Sequence, residues 1–225
     1  KAPASAGSTT PGADQTWKLQ IHDDDASKGP ANASVTVVVM SAFGCTPCID
    51  FKPAVDQIIE EYGKKIRVVW KHKIFQAESP DALIASEASL AAKEQGKFWE
   101  YRDKLFDARY AIDRASLETY AKELRLNMKK FTKALDSRKH RGQVLRDSLL
   151  AFEVAAHSFP NVIANGGRMQ KPKNYQSLKT LVDAELAKAE ALVKQGLKGP
   201  EIYERAIRNG KAFPQMGESV GRINT

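Results

Sequence analysis

Residues 35–48 read Val-Thr-Val-Val-Val-Met-Ser-Ala-Phe-Gly-Cys-Thr-Pro-Cys and contain the only two cysteines of the 225-residue chain, Cys45 and Cys48. Their apolar first half does not alternate with polar residues, which predicts a central strand buried on both faces. The residues after the pair repeat at helical spacing, with Phe51, Val55 and Ile58 on one side. The cysteine pair is therefore predicted to lie where a buried strand turns into a helix.

A position at the start of a helix would make one of the two cysteines reactive. The first turn of a helix has unpaired N–H groups and the positive end of the macrodipole, which stabilise a thiolate. The thiolate is the species that attacks disulfides. Cys45 would lie at the open end of the helix and Cys48 one turn inside, so we interpret Cys45 as the nucleophile and Cys48 as the resolving thiol.

Two other interpretations of the pair stay open, a metal site and inert thiols. Structural zinc needs four ligands, commonly a second cysteine pair or two histidines. The chain has no second cysteine pair, and its four histidines show no ligand-like spacing. The acidic run from His22 to Asp25 is interpreted as ordinary turn chemistry. We therefore favour redox chemistry and expect no metal and no cofactor beyond the two cysteines.

Composition narrows the function classes. The net charge is +8, and the densest basic cluster is Arg138-Lys139-His140-Arg141. A solvated face near a helix start explains this cluster better than nucleic-acid contact, because no nucleic-acid motif accompanies it. No apolar run approaches the roughly 20 residues of a membrane span. We expect no nucleic-acid partner.

Hydrophobic patterns predict the remaining strands and helices. A first, edge-like strand is expected over Thr16–Ile21 and a second buried strand over Ile66–His72, so that strand, helix and strand form a parallel βαβ unit. Pro53 should kink the helix, and Gly63 should end it. From Ser79 to about His157 the pattern predicts five short helices.

The last third of the sequence is predicted to contain both strands and helices. A short strand is expected over 161–164, a hairpin turn at Asn165-Gly166-Gly167, and an edge strand over Arg168–Gln170. An amphipathic helix from about Asn174, a short helix over Pro200–Asn209 and a tail follow. The predicted parts are a leader (1–15), a first sheet part (16–78), an inserted helical subdomain (79–157), a second sheet part (158–195), and a C-terminal helix with tail (196–225).

This order of elements resembles the thioredoxin superfamily, and more narrowly the DsbA-like thiol–disulfide oxidoreductases. Their fold is α/β, a central mixed sheet of about five strands flanked by helices, with an all-helical insertion. The resemblance rests on the cysteine pair at the start of a helix, on Pro53 five residues after Cys48, on Lys97-Phe98-Trp99-Glu100, and on Pro160 before a strand that ends in Asn165-Gly166.

The resemblance implies roles for these residues. Cys45 and Cys48 would exchange disulfides with protein clients, while Thr46 and Pro47 between them would tune the thiolate. Pro160 would be a cis-proline beside the disulfide. Phe159 and Pro160 would bind the client chain like a neighbouring strand.

The sequence also departs from the family pattern. A buried acid that is thought to carry a proton for the inner cysteine is replaced by Val39, and a second frequent acid by Ala42. Lys71, His72 or a water is a possible substitute. A structural role is the simpler interpretation of His72 and of His157. Phe159 stands where a small or β-branched residue is usual.

The sequence is compatible with three functions. The first is a monomeric dithiol oxidase, periplasmic or secreted, with protein thiol clients and a membrane redox partner. The leader, rich in Ala, Ser, Thr, Gly and Pro, would be either a membrane tether or a tail without a role. The second is a thioredoxin-like module that binds peptides or a metal, and the third a passive helical adaptor. The direction of exchange stays open among oxidase, isomerase and reductase.

Overall fold

The computed structural model describes residues 15–74, 80–154 and 159–211. A mixed five-stranded sheet in the order β1-β3-β2-β4-β5 lies at the centre. The strands are β1 (Ala26–Lys28), β2 (Val35–Ser41), β3 (Ile66–His72), β4 (Asn161–Ala164) and β5 (Gly167–Arg168). The helices are α1 (Thr46–Tyr62), α2 (Pro80–Lys93), α3 (Phe98–Asp107), α4 (Arg114–Glu123), α5 (Met128–Asp136), α6 (Arg141–Glu153), α7 (Tyr175–Lys194) and α8 (Gly199–Ile207).

The βαβ unit around the cysteines is confirmed. Strands β2 and β3 are parallel, with Val37 opposite Val68 and Ser41 opposite His72. All seven residues of β2 are buried, as the uninterrupted apolar run predicted. Pro53 lies inside α1, and Gly63 is its C-cap.

The predicted first strand is wrong. Residues 16–21 form no strand, although Trp17 and Leu19 are buried. Trp17 makes an isolated bridge to Lys211, and its N–H donates to the carbonyl of Gly166, so this segment lies between the β4–β5 turn and the last described residues. The edge strand is β1, which pairs antiparallel with β3 in the stretch interpreted as a turn.

The five predicted helices are present as α2–α6. Asp113 and Asn127 cap α4 and α5 by accepting hydrogen bonds from first-turn amides. Helix α6 starts at Arg141 rather than near Arg138, because Arg138 has a left-handed backbone with φ 52°. The predicted end of this helix near Ala156, and His157, lie outside the described residues, as do most of the leader and of the tail.

The hairpin at the other edge of the sheet is confirmed, with a shorter return strand than predicted. β4 pairs antiparallel with both β2 and β5. β5 covers two residues instead of Arg168–Gln170. Asn165 stabilises the turn, because its side chain accepts from Thr36 N at 2.9 Å and donates to the carbonyl of Ser34 at 3.1 Å. Asn174 is the N-cap of α7, and α8 is the predicted short helix.

The two faces of the sheet carry different helices. Side chains alternate along a strand, so Trp70 and Lys71 of β3 point to opposite faces. Trp70 contacts rings of α3, and Arg102 of α3 donates to Asp56 of α1 at 2.9 Å, which places α1 and α3 on the Trp70 face. Lys71 pairs with Asp147 of α6, so α6 covers the other face. In the described part of the chain, no helix has the length and apolar character needed to cross a bilayer.

Candidate active site

The cysteine pair lies at the start of α1, as predicted. Cys45 is the N-cap residue, Cys48 lies in the first turn, and the two form a disulfide with a Cα–Cα distance of 5.2 Å. Cys45 is partly exposed, whereas Cys48 is only 2% exposed. A client sulfur can therefore reach the first sulfur, while the second is enclosed by protein.

The start of α1 favours negative charge on Cys45. The first turn contains no acidic residue, and Pro47 takes a position where its missing N–H costs nothing. The N–H groups of Cys48 and Ile49 donate to the carbonyl of Cys45 at 3.0 and 2.9 Å. The helix dipole and the remaining first-turn amides therefore act on Cys45 without a nearby first-turn carboxylate to offset them.

Gly44 allows the tight turn from β2 into α1. Its φ of +73° is in the left-handed region that L side chains rarely adopt. A Cβ at this position would lie 3.0 Å from Cδ1 of Ile112, which is buried. A larger residue would therefore both strain the backbone and press against the inserted helices.

The α3–α4 loop, residues 108–113, contacts the cysteine motif, which the sequence did not predict. The hydroxyl of Tyr110 is hydrogen-bonded to Oγ1 of Thr46 at 2.7 Å. Arg109 lies 3.8 Å from the carboxylate of Asp50, and a shallow groove lined partly by Ile49, Phe106 and Arg109 adjoins this contact. The inserted helices therefore supply one side of the site.

The loop before β4 lies at the same edge of the sheet. Met40 is opposite Asn161, so Pro160 lies level with Ser41, four residues before Cys45. The Phe159–Pro160 peptide bond is cis. The Lys73 ammonium lies 5.3 Å from the centre of the Phe159 ring, and burial lowers the pKa of Lys73. The structure thus brings Phe159 and Pro160 to the end of β2, together with a buried lysine that the sequence analysis did not single out.

Lys71 and His72 lie on opposite faces of the sheet. Lys71 lies 2.7 Å from Asp25 and 3.2 Å from Asp147, and all three side chains are buried. These ion pairs hold Lys71 on the α6 face, away from α1. The acidic run at residues 22–25 thus contains a buried ion-pair partner in Asp25, while Asp24 pairs with Arg146 near the surface.

His72 lies on the same face as α1. Its imidazole is 1% exposed, contacts the rings of Phe43, Trp70 and Phe98, and has no hydrogen-bond partner for either ring nitrogen among the described residues. Burial, with smaller contributions from Lys71 and His140, lowers the pKa of His72 to about 3. The imidazole is therefore neutral at physiological pH.

The buried positions that lack the family's acids are apolar. Val39 and Ala42 are 1% and 2% exposed, and Val39 lies opposite Trp70. Within residues 15–74, 80–154 and 159–211, no group of three or more His, Cys, Asp or Glu side chains could hold a metal ion.

The fold and the site define the class. A thioredoxin fold with a helical insertion carries a Cys-X-X-Cys disulfide at the start of its first helix, the arrangement of DsbA-like thiol–disulfide oxidoreductases. A family model described as "Thioredoxin" matches residues 22–184, and the chain belongs to this family.

Solved structures share this fold at low sequence identity. Oxidised BdbD from Bacillus subtilis is 20% identical, with a TM-score of 0.69 over 77% of this chain and 98% of that one. The thiol-disulfide exchange protein alpha-DsbA2 from Wolbachia pipientis is 17% identical, with a TM-score of 0.64 over 71% of this chain and 86% of that one.

A curated relative is considerably longer. The Na(+)/H(+) antiporter NhaA 3 of Salinispora tropica is 34% identical over 184 residues, which are 82% of this chain and 28% of the antiporter. This chain therefore spans little more than a quarter of that relative.

Proposed function

We propose that this chain is a dithiol oxidase of the cell envelope that passes its Cys45–Cys48 disulfide to protein thiols. The observation that carries the proposal is the asymmetry of the disulfide at the start of α1, where Cys45 is partly exposed and Cys48 is buried. An exchange enzyme needs this asymmetry, because the client must attack one sulfur while the other leaves.

The proposed exchange has two steps. A client thiolate attacks Sγ of Cys45, the Cys45–Cys48 bond breaks, and Cys48 leaves as a thiolate. A second client thiolate then attacks the client sulfur of the mixed disulfide and releases Cys45. The client dithiol loses two electrons and two protons, and the cysteine pair gains both.

Electrostatics at the start of α1 support the oxidising direction. The reaction leaves Cys45 as a thiolate, which the helix dipole stabilises and no first-turn carboxylate disfavours. A stabilised thiolate favours the reduced form and makes the disulfide a stronger oxidant. Thr46 and Pro47, between the sulfurs, are the proposed tuning residues.

Phe159 and Pro160 are the proposed client-binding residues, supported by their position level with the end of β2. For the proton of Cys48 we propose His72 rather than Lys71. His72 shares a sheet face with α1, whereas the ion pairs with Asp25 and Asp147 occupy Lys71 on the other face. Burial lowers the pKa of His72 to about 3, which makes its imidazole a weak proton acceptor near neutral pH.

We propose a periplasmic or secreted location, with protein thiols as clients, a membrane redox partner that regenerates the disulfide, and a monomeric state. The antiporter relative supports a place at a membrane. Fractionation of cells that express the full-length protein would test this location, and a protein found only in the cytoplasm would contradict it.

The reduction potential of the Cys45–Cys48 pair tests the direction of exchange. Equilibration with glutathione should give a value above about −200 mV, as for oxidants of this superfamily. A potential near −270 mV would indicate a reductase instead.

Single cysteine variants test the mechanism. Cys45→Ser should abolish exchange with a reduced model protein, because Cys48 alone cannot form the disulfide that a client thiolate attacks. Cys48→Ser, mixed with a disulfide-bonded model protein, should accumulate a mixed disulfide, because the Cys45 thiolate attacks the client disulfide, releases one client thiolate and cannot be displaced by residue 48; mass spectrometry would detect it. A wild-type protein that exchanges no faster than a linear disulfide peptide, yet binds peptides with or without Cys45, would favour the binding-module alternative.

A further inference from the structure

We propose that Tyr110 determines client specificity: its ring forms a platform beside Cys45 that receives an aromatic or large aliphatic side chain next to the client cysteine. The inference rests on the proposed oxidase function and adds the chemistry of the preferred client. Tyr110 lies in the inserted helices, far in sequence from the cysteine motif and from the Phe159–Pro160 loop.

The exposure of Tyr110 is the first observation. Its side chain is 60% exposed, more than the two other exposed large hydrophobic residues of the described chain, Leu149 and Val193. Yet its hydroxyl is hydrogen-bonded to Thr46, the residue between Cys45 and Pro47. An aromatic ring held by the residue that follows Cys45 therefore remains open to solvent.

The loop that carries Tyr110 is fixed in place. Ile112 is buried against Gly44, and the Ile112 N–H donates to the carbonyl of Tyr110 at 2.9 Å. The hydroxyl of Tyr120 donates to the carbonyl of Ala111 at 2.9 Å. Little side-chain freedom remains to be lost when a client binds, which favours affinity.

The chemistry of the platform points to the client. An exposed ring gains most from contact with another ring or a large aliphatic group. The groove between α1 and α3 adjoins this loop, and its lining combines Ile49 and Phe106 with the charged residues Asp50, Lys52, Asp107 and Arg109. The ring itself is therefore the apolar surface that a client would cover. A client with such a side chain beside its cysteine would cover the ring when its sulfur reaches Cys45.

Two dithiol peptides, identical except for Phe or Gly beside the attacking cysteine, test the inference. The rate constant for reduction of the Cys45–Cys48 disulfide by each peptide in excess would be measured by alkylation quench and mass spectrometry. The ratio of the two rate constants is the readout, since it cancels any change in the reactivity of the disulfide. We expect the wild type to prefer the Phe peptide by roughly three- to tenfold.

Variants assign this preference to the ring. Tyr110→Ala should bring the ratio close to that of the two free peptides with a small linear disulfide, whereas Tyr110→Phe, which retains the ring, should keep it. Val193→Ala is the matched control: Val193 is another exposed apolar residue, near the end of α7, and the nearby Gly199 packs against Asn32 at the opposite end of the sheet. It should leave the ratio unchanged.

Three results would overturn the inference: a wild-type ratio in Tyr110→Ala, equal loss in Tyr110→Phe and Tyr110→Ala, or no preference in the wild type. Equal loss would assign the effect to the hydrogen bond with Thr46. Failure of the proposed oxidase function looks different, because the wild-type disulfide would then react with neither peptide faster than a linear disulfide does.

Discussion

The inserted helices meet the sheet on both faces, and the charged groups at the two contacts have very different surroundings. On one face, Lys71 is fully buried between Asp25 and Asp147. On the other, the buried Arg102 pairs with Asp56, whose side chain is 38% exposed, and packs among three aromatic rings. Water can stabilise a carboxylate at the second contact and not at the first. Removal of the cation should therefore lower the free energy of unfolding more at the first contact than at the second.

The largest expected effect is at the buried lysine. Lys71→Met would leave Asp25 and Asp147 buried without a counter-charge, at a cost of about 3–5 kcal/mol in the free energy of unfolding. Urea unfolding at pH 7 measures it. Lys52→Met is the matched control, since Lys52 also pairs with two carboxylates, but both of these are more than a third exposed. Equal losses in the two variants would contradict the comparison.

The next effect is a pH dependence that only the buried contact should show. Burial raises the pKa of Asp147 to about 6, although Lys71 and the N–H of His72 oppose the shift. The folded protein therefore holds this proton more tightly than the unfolded chain, and the contribution of Asp147 to stability falls as pH rises from about 4 to 6. Asp147→Asn should remove this fall, which is on the order of 3 kcal/mol.

Asp56→Asn is the control for that pH dependence. Burial raises the pKa of Asp56, but Arg102 and Lys52 outweigh it, and the net pKa is lowered. The stability that Asp56 contributes is therefore present above its ordinary pKa and lost only in more acidic solution. The free energy of unfolding, measured by urea denaturation between pH 4.5 and 7, should change with pH in Asp56→Asn as it does in the wild type. In Asp147→Asn its pH dependence should differ from that of the wild type.

The smallest effect is expected at Arg102. Arg102→Met keeps most of the apolar packing against Trp70, Trp99 and Phe106 and leaves a carboxylate that water can reach. In addition, Nε and one terminal nitrogen of Arg102 have no hydrogen-bond partner in the described structure. We expect a loss of about 1–2 kcal/mol, from the cation–π and charged hydrogen-bond contributions. A loss larger than that of Lys71→Met, by urea unfolding, would reverse the comparison.

The elements around the disulfide could be predicted from the sequence alone. β2, α1 and β3 follow from local patterns, because an uninterrupted apolar run and a helical repeat each reflect their own surroundings. The position of the disulfide followed from the same patterns, since the cysteines lie four and seven residues after the predicted strand, where the helical repeat begins.

Features that depend on distant partners were missed. Asp25 looked like a turn residue, and only the fold brings it to Lys71 and Asp147. β1 has three residues, too few to show the alternation of a strand, and it forms by pairing with the free edge of β3. Conversely, Trp17 and Leu19 alternate like a strand but pack beside the last described residues. Tyr110 and Ile112 carry no local signal for a contact with residues 44 and 46.

The docking of Ile112 against Gly44 has a consequence for biosynthesis. A ribosome completes Cys45 and Cys48 well before it adds the loop at residues 108–113, and later still the strand beginning at Asn161. A nascent chain thus displays both cysteines while the loop and the strand that flank them in the folded protein are still unmade. During that interval the two thiols can react with any disulfide they meet, so folding gains from keeping the emerging chain reduced.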